Sequence, residues 1–413
     1  MEPTNAIKLS DKTILIKAQQ ALTKNRLCDS CLGRLFAQIE SGQTNANRGK
    51  QLKQHLKYTK TITPQNCEIC QGLIDEMPYF IELITKTVHE YDYTTFLIGT
   101  KIDEDIQNDE LLLQDEINTS YSEPLKTELN REIGKKLEHN LNKTVDFNNP
   151  EIMIILDTVY DNLSLQIKPL YLYGKYNKLS RKLPQTRWYC KICMGKGCRR
   201  CKYTGTTYTS SVEEIIEKHV LEITWGSEAV LHGAGREDID VRMLGRGRPF
   251  VMEIKNPKKR HINLTDLEKT INDHSINLIE IHGLRYSDKL EIQKIKSVKL
   301  RKIYRVVFIG KTDIRKEKLK EAAQVLQDKT ITQFTPTRVA HRRANKTRPK
   351  NIYNCKIESV EGTIATLTIE AESGTYIKEL ITGDEGKTTP SISELINIPC
   401  RVKELDVMEI QGE

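Results

Sequence analysis

Four Cys-x-x-Cys pairs constrain this chain more than any other feature of its sequence. Eight of its ten cysteines are spent on them. Cys28/Cys31 and Cys67/Cys70 are separated by 35 residues, and Cys190/Cys193 and Cys198/Cys201 by four. In a reducing compartment such spacing means metal rather than disulfides. Two turns that each offer a thiolate pair close a tetrahedral S₄ site of the structural zinc kind, with no open position for catalysis. The first quartet therefore predicts a zinc-stapled N-terminal segment; the plainer reading, a redox Cys-x-x-Cys, needs no second pair. The second quartet, CKICMGKGCRRC, is tighter, and Gly195 and Gly197 let the backbone fold back between its halves. Zinc is the expectation there too, with a Cys₄ iron–sulfur cluster as the alternative. Cys355 and Cys400 stand alone and read as core residues.

A chain of 413 residues has room for two or three domains. Its start, Met1-Glu2-Pro3-Thr4-Asn5, has neither the basic nor the apolar region of a signal peptide. No apolar run approaches the roughly 18 residues of a membrane span. The expectation is a cytoplasmic protein with no membrane association and no obligate protein partner. Its net charge of +8 is uneven: Lys289 to Lys350 carries 19 Lys/Arg against 5 Asp/Glu, so the remainder is net acidic. Arg338 to Lys350 (RVAHRRANKTRPK) holds six basic residues and no acid. A solvated face accounts for many charge runs, but this density favours a polyanion, through counterion release at nucleic-acid phosphates.

The pattern divides the chain into a zinc-binding segment at 1–75, a mixed helix–strand region at 76–185, a cysteine knuckle at 186–205 and an α+β domain at 206–413. Pro78 to Thr85, Tyr93 to Gly99, Ile152 to Leu156 and Leu163 to Ile167 read as strands, and Glu128 to Leu141 as an amphipathic helix. Asp103 to Glu116, with seven acids, reads as a solvated loop. Farther on, Tyr304 to Ile309 and Thr363 to Ile369 read as strands and Glu317 to Leu326 as a helix.

Gly235-Arg236-Glu237-Asp238-Ile239-Asp240-Val241-Arg242 carries the chemistry. Read as a period-two segment, it puts Asp238, Asp240 and Arg242 on one face. A carboxylate beside guanidinium groups stays ionised, which suits a nucleophile or base, although a surface ion pair gives the same pattern. Tyr304 opens a strand behind a basic run; it is either packed at a strand edge or a ring that stacks on a base. Thr335 to Arg343 (TPTRVAHRR) reads as a turn and a phosphate-grasping run, with His341 a phosphate or structural contact. Ser373 to Leu380 (SGTYIKEL) places Tyr376 and Lys378 on one side of a segment that starts from a glycine turn, and Lys378 could pair with a carboxylate elsewhere. A rival constellation is Asp240 with Glu253 and Lys255, the D…ExK pattern of a magnesium-dependent nuclease.

The run AGREDIDVRMLGRGRPFVMEIKNP (234–257) resembles the catalytic motif of the THUMP-containing tRNA pseudouridine synthases of archaea and eukaryotes, the tenth family of these enzymes. PLYLYGKYNKLSRKLPQTRW, the knuckle, KIYRVV, TPTRVAHRR and GTYIKEL also resemble family signatures, and all stand in family order along the chain. The resemblance implies an α+β multidomain chain: a zinc-binding segment and THUMP-type region, then a synthase fold with a mixed, largely antiparallel sheet flanked by helices. It implies Asp238 as the catalytic aspartate, Tyr304 and Tyr376 as substrate contacts, and Lys378 as the base paired with that aspartate. It implies tRNA as partner, with isomerisation of uridine-54 and uridine-55 in the T-arm, structural zinc and no organic cofactor. Glu237 and Asp240 are expected to be structural. A catalytically silent tRNA-binding protein would share the basic stretch and the zinc modules.

Overall fold

The computed structural model describes residues 7–411, apart from the side chains of His341 and Arg342. The residues read above for a leader, Met1 to Asn5, lie outside this range. Two compact units emerge, one built on residues up to 168 with a short return at 258–260, the other from 169 onward.

The first unit starts with α1 (Lys12–Lys24), α2 (Asp29–Arg34), α3 (Asn45–His55) and α4 (Leu73–Val88). Next come β1 (Thr95–Lys101), α5 (Glu104–Glu116), α6 (Leu125–Leu141), β2 (Thr144–Val145), β3 (Ile152–Asp157) and β4 (Asn162–Ile167). The sheet runs β2-β1-β3-β4, parallel except for the β3–β4 hairpin. α2 and α3 touch backbone to backbone. A Cβ on Gly33 would lie 1.9 Å from the Asn45 carbonyl oxygen, and one on Gly49 1.9 Å from that of Asp29.

Two expectations fail in this unit. Pro78 to Thr85 is helical, inside α4: Phe80, Ile84 and Val88 recur every four residues and are buried. The apolar run is the stripe of a buried helix, which periodicity over eight residues does not separate from a strand. Asp103 to Glu116 is no loop either. Asp103 caps α5 by accepting from Asp105 N at 2.8 Å, and Ile106, Glu110 and Leu113 are buried at helical spacing. Acids in the first turn, Glu104 and Asp105, suit the positive end of the helix dipole.

The second unit comprises β5 (Leu170–Lys178), α7 (Val212–Thr224), β6 (Glu228–Gly233), β7 (Val241–Lys255), α8 (Leu264–His274) and β8 (Ile279–Ser287). It continues with α9 (Lys289–Ser297), β9 (Lys302–Gly310), α10 (Lys316–Leu326), β10 (Lys329–Phe334), β11 (Thr347–Glu361) and β12 (Ile364–Ala371). α11 (Ile377–Thr382), β13 (Thr388–Thr389), α12 (Ile392–Ile396) and β14 (Cys400–Ile410) complete it. The sheet order is β13-β10-β11-β12-β9-β14-β7-β5-β8, with β6 also on β7. Every pairing is antiparallel except β14 with β7. β5 lies inside this sheet, between β7 and β8, so the second unit begins at Pro169, earlier than the division expected near 186.

Pleat alternation sorts the core. Leu172, Phe250 and Met252 join the main cluster with α7, α8 and α10, while Tyr171 and Val251 meet Ile295 of α9 on the other face. On β9, Lys302, Tyr304, Val306 and Phe308 share the buried face. β9 is interior, between β12 and β14, so Tyr304 does not sit at a sheet edge. Among the described residues no helix is long and apolar enough to cross a membrane.

Candidate active site

Asp238 belongs to the loop between β6 and β7, because the strand begins only at Val241. The expected period-two segment is therefore a turn, closed by Val241 N donating to the Asp238 carbonyl at 3.1 Å. Gly235, at φ +89°, opens it. The loop is fixed from below by Lys178 of β5, whose buried ammonium donates to the carbonyls of Leu183 (2.9 Å), Asp238 (3.1 Å) and Ile239 (2.9 Å). Burial pulls the pKa of Lys178 down to about 8, against the attraction of Glu237 and Asp240. Glu237 points inward: it accepts from Tyr176 Oη at 3.0 Å and pairs with Arg248 at 2.9 Å, both partners about 1% exposed. The expectation that Glu237 has a structural place agrees with this burial. Arg242 turns away to Asp406, which it grips at 2.9 and 2.8 Å.

The carboxylate of Asp238 is held from across the sequence. Arg338 Nη1 donates to Asp238 Oδ2 at 2.7 Å, while its Nε and Nη2 grip the buried Glu379 at 2.6 and 3.3 Å. Burial works against that guanidinium, yet Glu379, Asp238 and Asp240 raise its pKa. Lys378 lies 3.5 Å from Asp238 Oδ2, but its hydrogen bonds go to both oxygens of Asp240, at 2.8 Å each. Burial opposes the Asp240 charge, and Lys378 overcomes it, holding that carboxyl below its ordinary pKa. Arg338 and Lys378 thus approach the same oxygen of Asp238, Oδ2.

Asp238, Tyr304, Tyr376 and Lys378 line one cavity of about 610 Å³, together with Arg338, Lys302 and Lys350. That volume lies in the range of small-ligand sites. Tyr376 is set by Gln333, which accepts from its backbone N–H and donates to its carbonyl, both at 2.9 Å. Tyr304 is 7% exposed, and burial raises its hydroxyl pKa to about 12, with Arg248 opposing. Arg338 is the site residue that the motifs missed. It sits in the run read as phosphate-grasping, and nothing in its spacing signals a partner a hundred residues upstream. His341 and Arg342 of the same run have side chains outside the described set.

The nuclease constellation does not assemble. Glu253 binds His232 at 2.8 Å, Lys255 pairs with Glu228 at 2.9 Å, and Asp240 belongs to Lys378 before β7 begins. Among the described residues the clusters able to hold a metal are the two cysteine quartets, each with its ligand atoms within 4.8 Å of one another. Sulfur–sulfur distances of 3.8 Å (Cys28–Cys70), 3.9 Å (Cys190–Cys198) and 3.8 Å (Cys193–Cys201) fit a tetrathiolate tetrahedron. With Zn–S near 2.3 Å its edges are about 3.8 Å. Arg34, buried beside Glu110 and Glu128, also donates to Cys31 Sγ at 3.4 Å.

Residues 171–411 match the family described as "Pus10, C-terminal", and residues 80–157 the "Pus10 THUMP domain, archaeal". The chain belongs to the Pus10 family. Proteins named tRNA pseudouridine synthase Pus10 are similar along the whole chain. That of Methanothrix thermoacetophila is 36% identical over 99% of this chain and 97% of its own length. That of Methanocaldococcus jannaschii is 40% identical over 95% and 93%. Among solved structures, a Cbf5-Nop10-Gar1 complex aligns at a TM-score of 0.33 and 15% identity, over 57% of this chain and 48% of that chain, a likeness too slight to bear on function. The α+β architecture expected from the sequence holds: a THUMP domain, then a mixed, largely antiparallel sheet with flanking helices.

Proposed function

We propose that this chain is a tRNA pseudouridine synthase, an isomerase that converts uridines 54 and 55 of the T-arm, with Asp238 as its catalytic carboxylate. The family membership and the full-length relatives support the reaction class. The observation that carries the site is the clamped Asp238: a carboxylate engaged by Arg338 at 2.7 Å on the wall of a cation-lined cavity.

The isomerisation breaks the N-glycosidic bond, turns the base and rejoins it through C5. Asp238 Oδ1 either attacks C1′ or removes a proton from C2′, and both routes need an oriented carboxylate. Arg338 supplies that orientation, and Lys178 holds the loop that carries it. The target uridine must leave the folded arm to reach the cavity. Tyr304 and Tyr376 are the side chains against which the base would lie, and Lys378 ties Asp240 beside the carboxylate. Arg343 and Arg348, which also line the cavity, are suited to the phosphates around the extruded nucleotide. Structural zinc would sit at Cys28, Cys31, Cys67 and Cys70, and at Cys190, Cys193, Cys198 and Cys201, where it stabilises the fold and takes no part in the chemistry.

The test is an unmodified tRNA transcript incubated with the protein and with Asp238→Asn, mapped by carbodiimide-blocked primer extension. Stops at the T-arm uridines with the wild type and none with the variant support the reading. Equal tRNA binding without stops from either protein would make it a binding module instead.

A further inference from the structure

Lys302 is the buried cation of the cavity wall whose ammonium meets no acceptor among the described residues. It is 7% exposed, lines the same cavity as Asp238, and shares a strand face with Tyr304 two residues on. Four other cations there are engaged. Arg338 holds Asp238 and Glu379, Lys378 holds Asp240, Lys350 holds Glu372 and the Ser373 carbonyl, and Arg248 holds Glu237. A Cβ built on Gly235 would lie 3.3 Å from Lys302 Nζ. The ammonium thus sits under the glycine turn three residues before Asp238.

Burying an ammonium without a partner is unfavourable, and an apolar side chain would fill this place at less cost. Such a group is complete only when a ligand brings negative charge. On the reading above, the isomerisation makes that charge inside the cavity. As the N1–C1′ bond breaks, its electron pair stays with the uracil and spreads onto O2 and O4. When C5 then bonds to C1′, C5 loses its hydrogen as a proton and N1 gains one, so atoms and electrons balance without a co-reactant.

We propose that Lys302 is a further catalytic residue, whose ammonium donates a hydrogen bond to an oxygen of the flipped uracil and stabilises the anion formed when the glycosidic bond breaks. The proposal rests on the pseudouridine synthase reading. A donor standing in the cavity where charge develops only during reaction acts on the transition state more than on binding. The charged groups that face Lys302 agree with this role. Burial and Arg248 lower its pKa, Glu237 raises it, Lys350 lowers it, and the result is about 7. Tyr304, at about 12, stays neutral throughout the range. The free protein therefore loses the ammonium as pH rises through about 7, and kcat/KM should fall with it.

The experiment compares wild type, Lys302→Met and Lys302→Arg on an unmodified tRNA transcript. Single-turnover rate at saturating protein, tRNA affinity by filter binding, and kcat/KM from pH 6 to 9 are measured. Lys302→Met is expected to lower the single-turnover rate by about 10²-fold and leave Kd within about threefold. Lys302→Arg, always charged, is expected to lose the fall in kcat/KM above pH 7. A methionine variant with wild-type rate overturns the proposal. So does one whose loss lies in tRNA affinity, which would make Lys302 a phosphate contact. Should the methionine variant fail to fold, the arginine variant decides, and an unmoved alkaline limb overturns the assignment. A wild type that forms no pseudouridine sinks the functional reading and this assignment together; an active wild type with an unimpaired variant sinks this assignment alone.

Discussion

Arg338 donates to Asp238 at 2.7 Å across a hundred residues of sequence, and the same guanidinium is anchored by Glu379. One planar cation thus fixes a carboxylate on the β6–β7 loop to the buried first turn of α11. A lysine lacks the planar fork of five donors with which the guanidinium grips both carboxylates at once.

Arg338→Lys is therefore expected to lower single-turnover pseudouridine formation by about 10²-fold, because a misplaced reacting group costs about that much. Affinity for tRNA should change by less than about tenfold, since the charge remains. Rates and filter binding on the same transcript check both. A variant whose rate is unchanged would show that Asp238 needs no such clamp.

Glu237 and Arg248 form an ion pair at 2.9 Å with both side chains about 1% exposed. Glu237→Gln leaves the Arg248 charge buried without its counter-charge, which costs about 3 kcal/mol or more. The melting temperature of the second unit is expected to fall by roughly 6–12 °C, followed by circular dichroism. A shift of a degree or less would mean that the buried Arg248 charge does not depend on its pair with Glu237.

The two cysteine quartets differ in burial: Cys28, Cys31, Cys67 and Cys70 are at most 2% exposed, whereas Cys193, Cys198 and Cys201 are partly open. Two zinc ions per chain are expected by elemental analysis. A chelator should strip the 190–201 knuckle first and leave the first site until its unit opens. Cys67→Ser should then unfold the first unit, because binding energy at a structural site is folding energy. Visible absorbance and two equivalents of iron would replace zinc with a cluster.

Much of this was legible in local sequence. The cysteine spacing announced both quartets, and the alternation of Tyr304 to Ile309 and Thr363 to Ile369 announced β9 and β12. Where reading failed, a short-range signal was ambiguous. The apolar stretch at Pro78 had the composition of a strand and the spacing of a helix. The acidic stretch at Asp103 hid a cap and a buried stripe beneath its charge. The turn at Asp238 kept the alternation of a strand without its hydrogen bonds, since the β14–β7 ladder begins only at Val241.

By itself the sequence determined the chemistry available: thiolate quartets, a carboxylate behind a glycine turn, and a basic C-terminal stretch. These depend on residue type and near spacing, which the chain carries on its face. Only the tertiary structure decided which cation meets which carboxylate. Arg338 reached Asp238, Lys378 reached Asp240, Lys178 took the carbonyls beneath the loop, and Lys302 came to the cavity wall with no acceptor among the described residues. Among so many lysines and arginines, charge does not specify a partner. Partners are chosen by the sheet order that sets β5, β7, β9 and β14 side by side, and that order rests on burial of faces far apart in the chain.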